Sequence, residues 1–145
     1  MVELWQTLLA ERQAKRMRGQ ALKAYTIFLD DLAHRGCAAL SYRITGPGPL
    51  HRLCVKHLRG RDRVVVAFQH SDHAWVLLVG EHQNSDPGRN IYDKLYQLVG
   101  TSPTSDAKRT KPPCCNAEHG DAPITDDDVV DDLVKRAHNL ARNRR

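Results

Sequence analysis

Residues able to bind and cleave a phosphodiester are concentrated in one short stretch of the chain. From Arg43 to Arg63 there are six lysine or arginine residues and one acidic residue. The fork of an arginine matches the oxygens of a phosphate and stabilises the extra charge of its transition state. A neutral histidine nearby suits a general base that activates a ribose hydroxyl. The candidate catalytic residues are Arg63, Arg61, Lys56 and His82.

Further cations and one aromatic residue could hold the rest of a nucleic-acid chain. Arginines pair with phosphates, and a tyrosine ring stacks on a base. The candidate RNA-binding residues are Arg52, Arg59, Arg43 and Tyr92. The residues alone also allow a plainer interpretation, in which the cations are solvated on an exposed sheet face and His82 is a strand-end histidine in water.

Two other groups of polar residues favour structural roles. One group is expected at the end of the apolar face, as the polar rim of the core rather than an acid–base or metal site: His57, Asp62 and Glu81. Cys114 and Cys115 with His119 lack the spacing of a zinc knuckle. P-loop, dinucleotide, nucleophile-elbow and His-Glu-x-x-His motifs are absent from the sequence. We therefore expect neither a metal nor a cofactor.

Three consecutive antiparallel strands are predicted between residues 50 and 82, joined by two-residue turns at 59–60 and 71–72. Side chains alternate between the faces of a strand, so this register places one continuous apolar layer on one face. Its members are Leu53, Val55, Val64, Val66, Phe68, Trp75, Leu77 and Val79.

The same register predicts a basic row on the opposite face. Lys56 would face Arg63, and Arg61 would face His82. Gly80, opposite Arg63, would leave an open space beside its guanidinium group. A face that collects cations in this way is typical of a surface with an anionic partner.

Helices are predicted on either side of these strands. Residues 3–18 and 20–35 have helical periodicity and would form a hairpin, and residues 89–99 would form a short helix after the sheet. A last helix over 126–142 would be capped by Thr125. The fold class is α+β: a helical hairpin packed on a small antiparallel sheet of three to four strands, with a short helix after it and an extra C-terminal helix.

The chain divides into one domain and two appendages. We place the domain at residues 1–100, an irregular linker rich in proline and lysine at 101–124, and a C-terminal amphipathic helix at 125–145. The formal net charge is +5, and the positive charge is concentrated before Pro112, where 17 basic residues accompany 10 acidic ones. A basic body favours nucleic acid as the partner.

The compartment is inferred from what the sequence lacks. No apolar run is long enough to cross a membrane, and no secretory signal is evident at the N-terminus. The four cysteines show no framework spacing. We therefore expect a cytoplasmic protein with reduced thiols and without membrane contact.

The order helix, helix, three antiparallel strands, short helix resembles the RelE/ParE superfamily of toxins, including its HigB-like members. The resemblance is carried by five segments that cover about half of the chain. They are 24–33 (AYTIFLDDLA), 50–56 (LHRLCVK), 61–68 (RDRVVVAF), 75–82 (WVLLVGEH) and 91–92 (IY). Two features depart from the family: no first strand is obvious, although Val2 to Trp5 could supply one, and the tail after Thr101 is long.

The resemblance implies a toxin of a type II toxin–antitoxin system. Many members are messenger RNA endonucleases that act on the ribosome, where the ribose 2′-hydroxyl attacks the adjacent phosphate. Others, of the ParE type, inhibit DNA gyrase without being nucleases. The partners implied are a cognate antitoxin, often with a helix-turn-helix domain, and the ribosome with its messenger RNA. We predict an endoribonuclease; the alternative is a binding protein of the same fold, either a gyrase inhibitor or a nucleic-acid binder.

Overall fold

Nine main elements make up the computed structural model, which describes residues 1–44, 46, 48–82, 90–100, 112–116, 118 and 120–142. Their bounds are β1 Glu3–Gln6, α1 Leu8–Lys15, α2 Gly19–Arg35, β2 Tyr42–Arg43, β3 Leu53–His57, β4 Asp62–His70, β5 His73–Glu81, α3 Ile91–Val99 and α4 Asp127–Arg142. Short 3-10 helices, Gly36–Ala39 and Gly48–Arg52, precede β2 and β3. Residues 101–111 of the predicted linker lie outside the described residues, as does His119.

The described strands form one mixed sheet in the order β1-β5-β4-β3-β2. β1 runs parallel to β5, whereas the other neighbouring strands are antiparallel. The α+β class is confirmed, but a sheet of three to four antiparallel strands is wrong, because five strands are present and one pair is parallel. The two additional strands have four and two residues, too few to give a periodic signal in the sequence.

The first predicted helix, residues 3–18, is in fact a strand followed by a shorter helix. β1 takes the place that the family resemblance suggested for a first strand, and α1 begins only at Leu8. Thr7 separates the two elements: its side-chain oxygen accepts a hydrogen bond from the Ala10 amide at 3.0 Å and donates to the Leu77 carbonyl at 2.8 Å. This cap starts the helix and fixes it to β5. α2 and α4 begin and end within a residue of their predicted bounds.

The turn between β3 and β4 decides which side chains share a face. The Leu58 amide donates to the Asp62 carbonyl at 2.9 Å, so the connecting loop has three residues, 59–61, rather than two. The extra residue shifts the register by one: Lys56 pairs with Val64, and Arg63 pairs with His57. The predicted pairing of Lys56 with Arg63 is therefore wrong, and the two cations point to opposite faces.

The turn between β4 and β5 is where it was predicted, but the predicted register of these two strands is confirmed only in part. His70 pairs with His73, which places the turn at residues 71–72, and Arg63 pairs with Gly80. Between these points the register changes: Val65 pairs with Leu78 but Val66 pairs with Val76, so Leu77 is an extra residue on β5. Such a bulge has no signal in an uninterrupted run of apolar residues.

Helices cover both faces of the sheet. On what we call the α2 face, side chains of the strands pack against Tyr25, Phe28 and Leu32; they include Cys54, Val64, Val66, Phe68 and Val76. On the α3–α4 face, strand side chains pack against Leu95, Leu98 and Leu133; they include Leu53, Val55, Val65, Ala67 and Leu78. The predicted single apolar layer is therefore divided between two cores, and the predicted open basic face is wrong. In the part of the chain that the structure describes, helices therefore cover both faces, and the ends and rims of the sheet stay accessible.

Two disulfides tie the segment around residue 114 to the α2 face. Cys37 is bonded to Cys115, and Cys54 to Cys114, with Cα–Cα distances of 5.3 and 5.7 Å. The expectation of reduced thiols is thus contradicted in the structure. Adjacent cysteines cannot be recognised as a disulfide framework from spacing alone, since their partners lie 78 and 60 residues away.

The C-terminal helix belongs to the core of the α3–α4 face. Leu133, Ala137 and Ala141 of α4 are buried there. The Arg12 guanidinium donates a hydrogen bond to the Ala141 carbonyl and links the end of α4 to α1. The boundary at residue 125 stays a prediction, but the helix shares its apolar interior with the sheet. No helix in the described ranges is long and apolar enough to cross a membrane.

Candidate functional site

The candidate site lies on the α3–α4 face, at the end of the sheet where β3 stops, β4 begins and β5 stops. His57, Arg63 and Gly80 are neighbours in one row across these three strands. Tyr42, His82 and Tyr92 complete the site from β2, from the end of β5 and from α3. We call Tyr42, His57, Arg63, His82 and Tyr92 the Tyr–His–Arg cluster. All five side chains are half-buried, so they are held in place and still reach solvent.

Gly80 does not leave the open space that was predicted beside Arg63. A Cβ atom built on Gly80 would lie 3.5 Å from the Cβ of Ile91, in ordinary contact. The first residue of α3 therefore fills that position, and the missing side chain lets the helix pack closely on the strand. This contact brings Tyr92 over the row.

Tyr42 and His57 form a hydrogen-bonded pair. The Tyr42 hydroxyl lies 2.7 Å from the Nε2 atom of His57, and their rings meet edge to face at 5.0 Å between centroids. β2 pairs with β3 so that Tyr42 stands opposite Val55, two residues before His57. A hydroxyl at this distance orients the imidazole and can exchange a proton with it.

Tyr92 lies beside His82, Tyr42 and Arg63. It is in the first turn of α3, which is capped by Asn90: the Asn90 side-chain oxygen accepts from the Tyr92 amide at 3.2 Å. Its ring meets the His82 ring edge to face at 4.8 Å. Burial raises the pKa of Tyr92 to about 12, and Tyr42 contributes in the same direction, while a hydrogen bond with Arg63 opposes the rise. Tyr92 is therefore a neutral hydroxyl at physiological pH, and its oxygen accepts the hydrogen bond from the Arg63 guanidinium.

Arg63 is the cation of the cluster, and backbone carbonyls fix its position. Its Nη1 atom donates to the carbonyl oxygens of Gly60 and Asp62 at 2.9 and 3.0 Å. Its buried Nε atom has no hydrogen-bond partner among the described residues. Because carbonyl oxygens carry no net charge, these bonds hold the guanidinium without neutralising it. A fixed cation in the same cluster as two imidazoles is suited to an anionic group such as a phosphate.

Two carboxylates next to Arg63 lie on the other face of the sheet. Asp62 pairs with Glu81 across β4 and β5. Burial raises the pKa of Asp62, and the negative charge of Glu81 adds to the rise, while Arg63 opposes it. Asp62 and Glu81 were expected beside His57. The register instead separates them from His57, which joins the cluster.

The structure separates the sequence-predicted catalytic residues into two groups. Arg63 and His82 belong to the cluster, and Arg61 is adjacent through a hydrogen bond from the His82 amide to its carbonyl at 2.9 Å. Lys56 points to the α2 face, where its charge, after the hydrogen-bonded Arg35, lowers the pKa of Asp31. Lys56 is therefore not part of the Tyr–His–Arg cluster.

The predicted RNA-binding residues are similarly dispersed. Tyr92 is in the cluster, and Arg59 is exposed in the adjoining loop. Arg52 lies at the far end of β3, where it donates to the Ile124 carbonyl at 3.0 Å and lies 3.6 Å from the Asp126 carboxylate. Arg43 donates from its Nε to the Cys114 carbonyl at 3.2 Å and supports the disulfide-bonded segment.

Sequence reasoning missed Tyr42 as a site residue and assigned His57 to the core rim. The position of His57 in β3 was the available signal. If the loop between β3 and β4 has three residues, the alternation of side chains along the strands places His57 beside Arg63. Tyr42 is in a strand of two residues, which no periodicity reveals. Within the described ranges, no group of three or more histidine, cysteine, aspartate or glutamate residues is placed to hold a metal ion.

Comparison with known proteins gives no match to this chain. No protein-family model matches it, and neither curated proteins nor solved structures show a significant similarity. The site must therefore be interpreted from its own chemistry.

Proposed function

We propose that the chain is a toxin of a type II toxin–antitoxin system and an endoribonuclease that acts on ribosome-bound messenger RNA. The observation that carries the proposal is the Tyr–His–Arg cluster, in which a guanidinium fixed by backbone carbonyls shares one end of the sheet with two half-buried imidazoles. The resemblance to the RelE/ParE superfamily supports the same reaction. A basic body favours contact with RNA through its phosphates.

The cluster has the groups that cleavage by internal attack needs. One neutral imidazole, of His57 or His82, takes the proton from the ribose 2′-hydroxyl. The 2′-oxygen forms a bond to phosphorus while the bond from phosphorus to the 5′-oxygen breaks. The other imidazole, protonated, gives its proton to the leaving 5′-oxygen. The products are a 2′,3′-cyclic phosphate and a 5′-hydroxyl, and Arg63 offsets the negative charge that develops on the phosphate oxygens.

The tyrosines position these groups. Tyr42 holds His57 through its 2.7 Å hydrogen bond, and Tyr92 packs on His82 while it contacts Arg63. Geometry of this kind accelerates a reaction because the reacting groups need not be ordered during the step. Arg61 and Arg59, exposed in the adjoining loop, would meet flanking phosphates.

A cleavage assay with two contrasting variants tests the proposal. Purified protein is added to a translation reaction, and the ends of the messenger RNA are mapped by primer extension. Arg63→Ala is expected to lower the cleavage rate about 100-fold or more, because the charge that stabilises the transition state is lost. Arg63→Lys separates loss of charge from loss of the guanidinium fork.

Lys56→Ala is the matched control. It removes one positive charge from the same hairpin but on the opposite face, so cleavage is expected to stay within about twofold of wild type. Intact messenger RNA with the wild-type protein would contradict the nuclease. Loss of supercoiling by gyrase in a parallel assay would instead support an inhibitor of the ParE type.

The proposed partners are testable separately. A cognate antitoxin, expected to carry a helix-turn-helix domain, would be encoded by the adjacent reading frame. Co-expression of that frame is expected to relieve growth arrest and to yield a complex that co-purifies. Growth arrest that persists with the neighbouring protein present would contradict this pairing.

A further inference from the structure

Both tryptophans of the chain lie together at the other end of the sheet, away from the Tyr–His–Arg cluster. Trp5 of β1 and Trp75 of β5 are partners in the parallel register, with ring centroids 5.7 Å apart. His73 completes the group: its ring is 5.7 Å from Trp5 and stacks on Trp75 at 6.3 Å with an interplanar angle of 22°. We call Trp5, His73 and Trp75 the aromatic platform.

The platform is accessible and rigid. Trp5 is 46% exposed, which is unusual for a tryptophan in a strand. The indole nitrogen of Trp75 donates to the Gln69 side-chain oxygen at 3.1 Å, which fixes the orientation of that ring. The Nε2 atom of His73 is buried and has no partner among the described residues. None of these side chains takes part in the proposed cleavage.

Carboxylates border the platform on two sides. Glu3 is two residues before Trp5 on β1, and the alternating burial of that strand puts both side chains on its exposed face. On the other side, the Gln69 side chain donates to the Asp127 carboxylate at 2.9 Å, and His70 lies 3.9 Å from the same group. β5 separates β1 from β4, so the strand backbones that carry Glu3 and Gln69 are about 10 Å apart across the sheet.

We propose that the aromatic platform binds a basic segment of a partner protein, with a guanidinium or ammonium group stacked on Trp5. Cations are attracted to the face of an indole ring, and arginine both stacks on aromatic rings and pairs with carboxylates. Acidic groups on two sides suit a segment with two cations. The same carboxylates disfavour binding of a nucleic acid, because they would repel its phosphates. The bases of a nucleic acid could nevertheless stack on the same rings.

Tryptophan fluorescence reads this site directly, because the chain has two tryptophans and both are in the platform. The full-length protein is titrated at low salt with the peptide acetyl-Arg-Gly-Gly-Arg-amide, whose arginines span about 10 Å when extended. The expected result is a saturable change in emission. The same peptide with citrulline in place of arginine is expected to bind at least about tenfold more weakly, since citrulline has the shape but not the charge. Arginine amide, which has a single guanidinium, is also expected to bind at least about tenfold more weakly than the two-arginine peptide.

Single variants test whether the peptide binds at the aromatic platform. Glu3→Gln is expected to weaken peptide binding about two- to fivefold. Glu81→Gln, the same change at the opposite end of the sheet, is expected to leave it unchanged. Trp5→Leu is expected to abolish most of the emission change. Equal binding of the arginine and citrulline peptides, or equal effects of Glu3→Gln and Glu81→Gln, would overturn the proposal. Tighter binding of an oligodeoxythymidylate than of the peptide would also overturn it, in favour of a nucleobase platform.

Discussion

The hydroxyl of Tyr92 has two neighbours, Tyr42 and Arg63, that act on its ionisation in opposite directions. Burial is the largest influence and raises its pKa to about 12. In the unfolded chain a tyrosine ionises near pH 10. The folded state therefore favours the neutral form. The stability gained in this way is fully present below pH 10 and is lost as the pH rises through 12.

Tyr92→Phe tests this contribution. The midpoint temperature of wild-type unfolding is expected to fall steeply between pH 10 and 12, in part through Tyr92. The variant is expected to show a smaller fall over that range, because it has no proton to lose at this position. Thermal denaturation followed by circular dichroism at pH 8 and pH 11.5 gives the comparison. Equal falls for both proteins would contradict the assignment.

The surroundings of Asp62 in the folded protein disfavour the ionised form of its carboxyl group. Burial and the facing charge of Glu81 raise its pKa, so the folded state favours the protonated form. That preference contributes stability at acid pH and is lost as the pH rises through the raised pKa, which leaves the ionised group destabilising at neutral pH. Asp62→Asn is expected to raise the unfolding temperature at pH 7 by roughly 2 °C.

Glu81, which faces Asp62 across the strands, provides an independent test of this repulsion. Glu81→Gln removes the repulsion from the other side, and the gains of the two changes are expected not to add. Thermal unfolding of both single variants and of the double variant at pH 7 measures this. A lower unfolding temperature for Asp62→Asn would contradict the repulsion.

Among single residues, the sequence singled out three members of the cluster, Arg63, His82 and Tyr92, but not Tyr42, and it placed His57 at the rim of the core. Arginine and histidine beside an apolar run can be recognised by type alone. The position of His57 depends on whether a loop has two or three residues. Gly60 adopts a positive φ of 60°, which turns of either length accept, so its presence did not decide between them.

Among the elements, the segment around residue 114 depends most on covalent links. Its cysteines connect it to the 3-10 helix after α2 and to β3, closing loops of 78 and 60 residues. A cross-link over loops of this length restricts the unfolded chain and stabilises the fold by about 4 kcal/mol in the loop-entropy view. The Arg43 side chain and amide add two hydrogen bonds to the same segment.

Replacing Cys37 and Cys115 together by serine is expected to lower the free energy of unfolding by about 2–4 kcal/mol. Urea denaturation measures the change, and wild-type protein treated with a reductant should shift in the same direction. A thiol titration of the native protein, expected to find no free cysteine, is the control. Coincident urea curves for oxidised and reduced protein would contradict a stabilising role for the disulfides.

α2, α4 and the long strands were predictable because each has a period that an amphipathic or apolar pattern reveals, whereas the pattern merged β1 and α1 into one helix. α2 and α4 agree with their predictions to within a residue. β1 and β2 were not predictable with confidence from pattern, since a strand of two to four residues has too few alternations. The bulge at Leu77 arises from packing between strands, and the local sequence does not encode it visibly.

Across the whole molecule, the sheet is enclosed between two helical layers, and its two ends carry different chemistry. The Tyr–His–Arg cluster is at one end on β3, β4 and β5, and the aromatic platform is at the other on β1 and β5. The single apolar face that the sequence suggested would have left a broad basic surface. Among the described residues both faces are instead covered by helices, so the two candidate sites lie at the ends of the sheet.

The last helix is expected to be needed for the fold. Leu133 of α4 is buried against the α3–α4 face, so Leu133→Ala should lower the free energy of unfolding by about 2–5 kcal/mol. Lys135→Ala, on the exposed side of the same helix, is the control and should change stability little. Equal stability of Leu133→Ala and wild type in urea would indicate that α4 is an appendage.

The most direct measurement of the central claim is the fate of a ribosome-bound messenger RNA that lacks one 2′-hydroxyl. The cleavage position is mapped first, and a transcript is then made with a deoxynucleotide immediately before the scissile phosphate. Cleavage of the unmodified RNA to a 2′,3′-cyclic phosphate and a 5′-hydroxyl is expected, and no cleavage at the modified position. Cleavage of both transcripts at that position, or of neither, would contradict an endoribonuclease that works by 2′-hydroxyl attack.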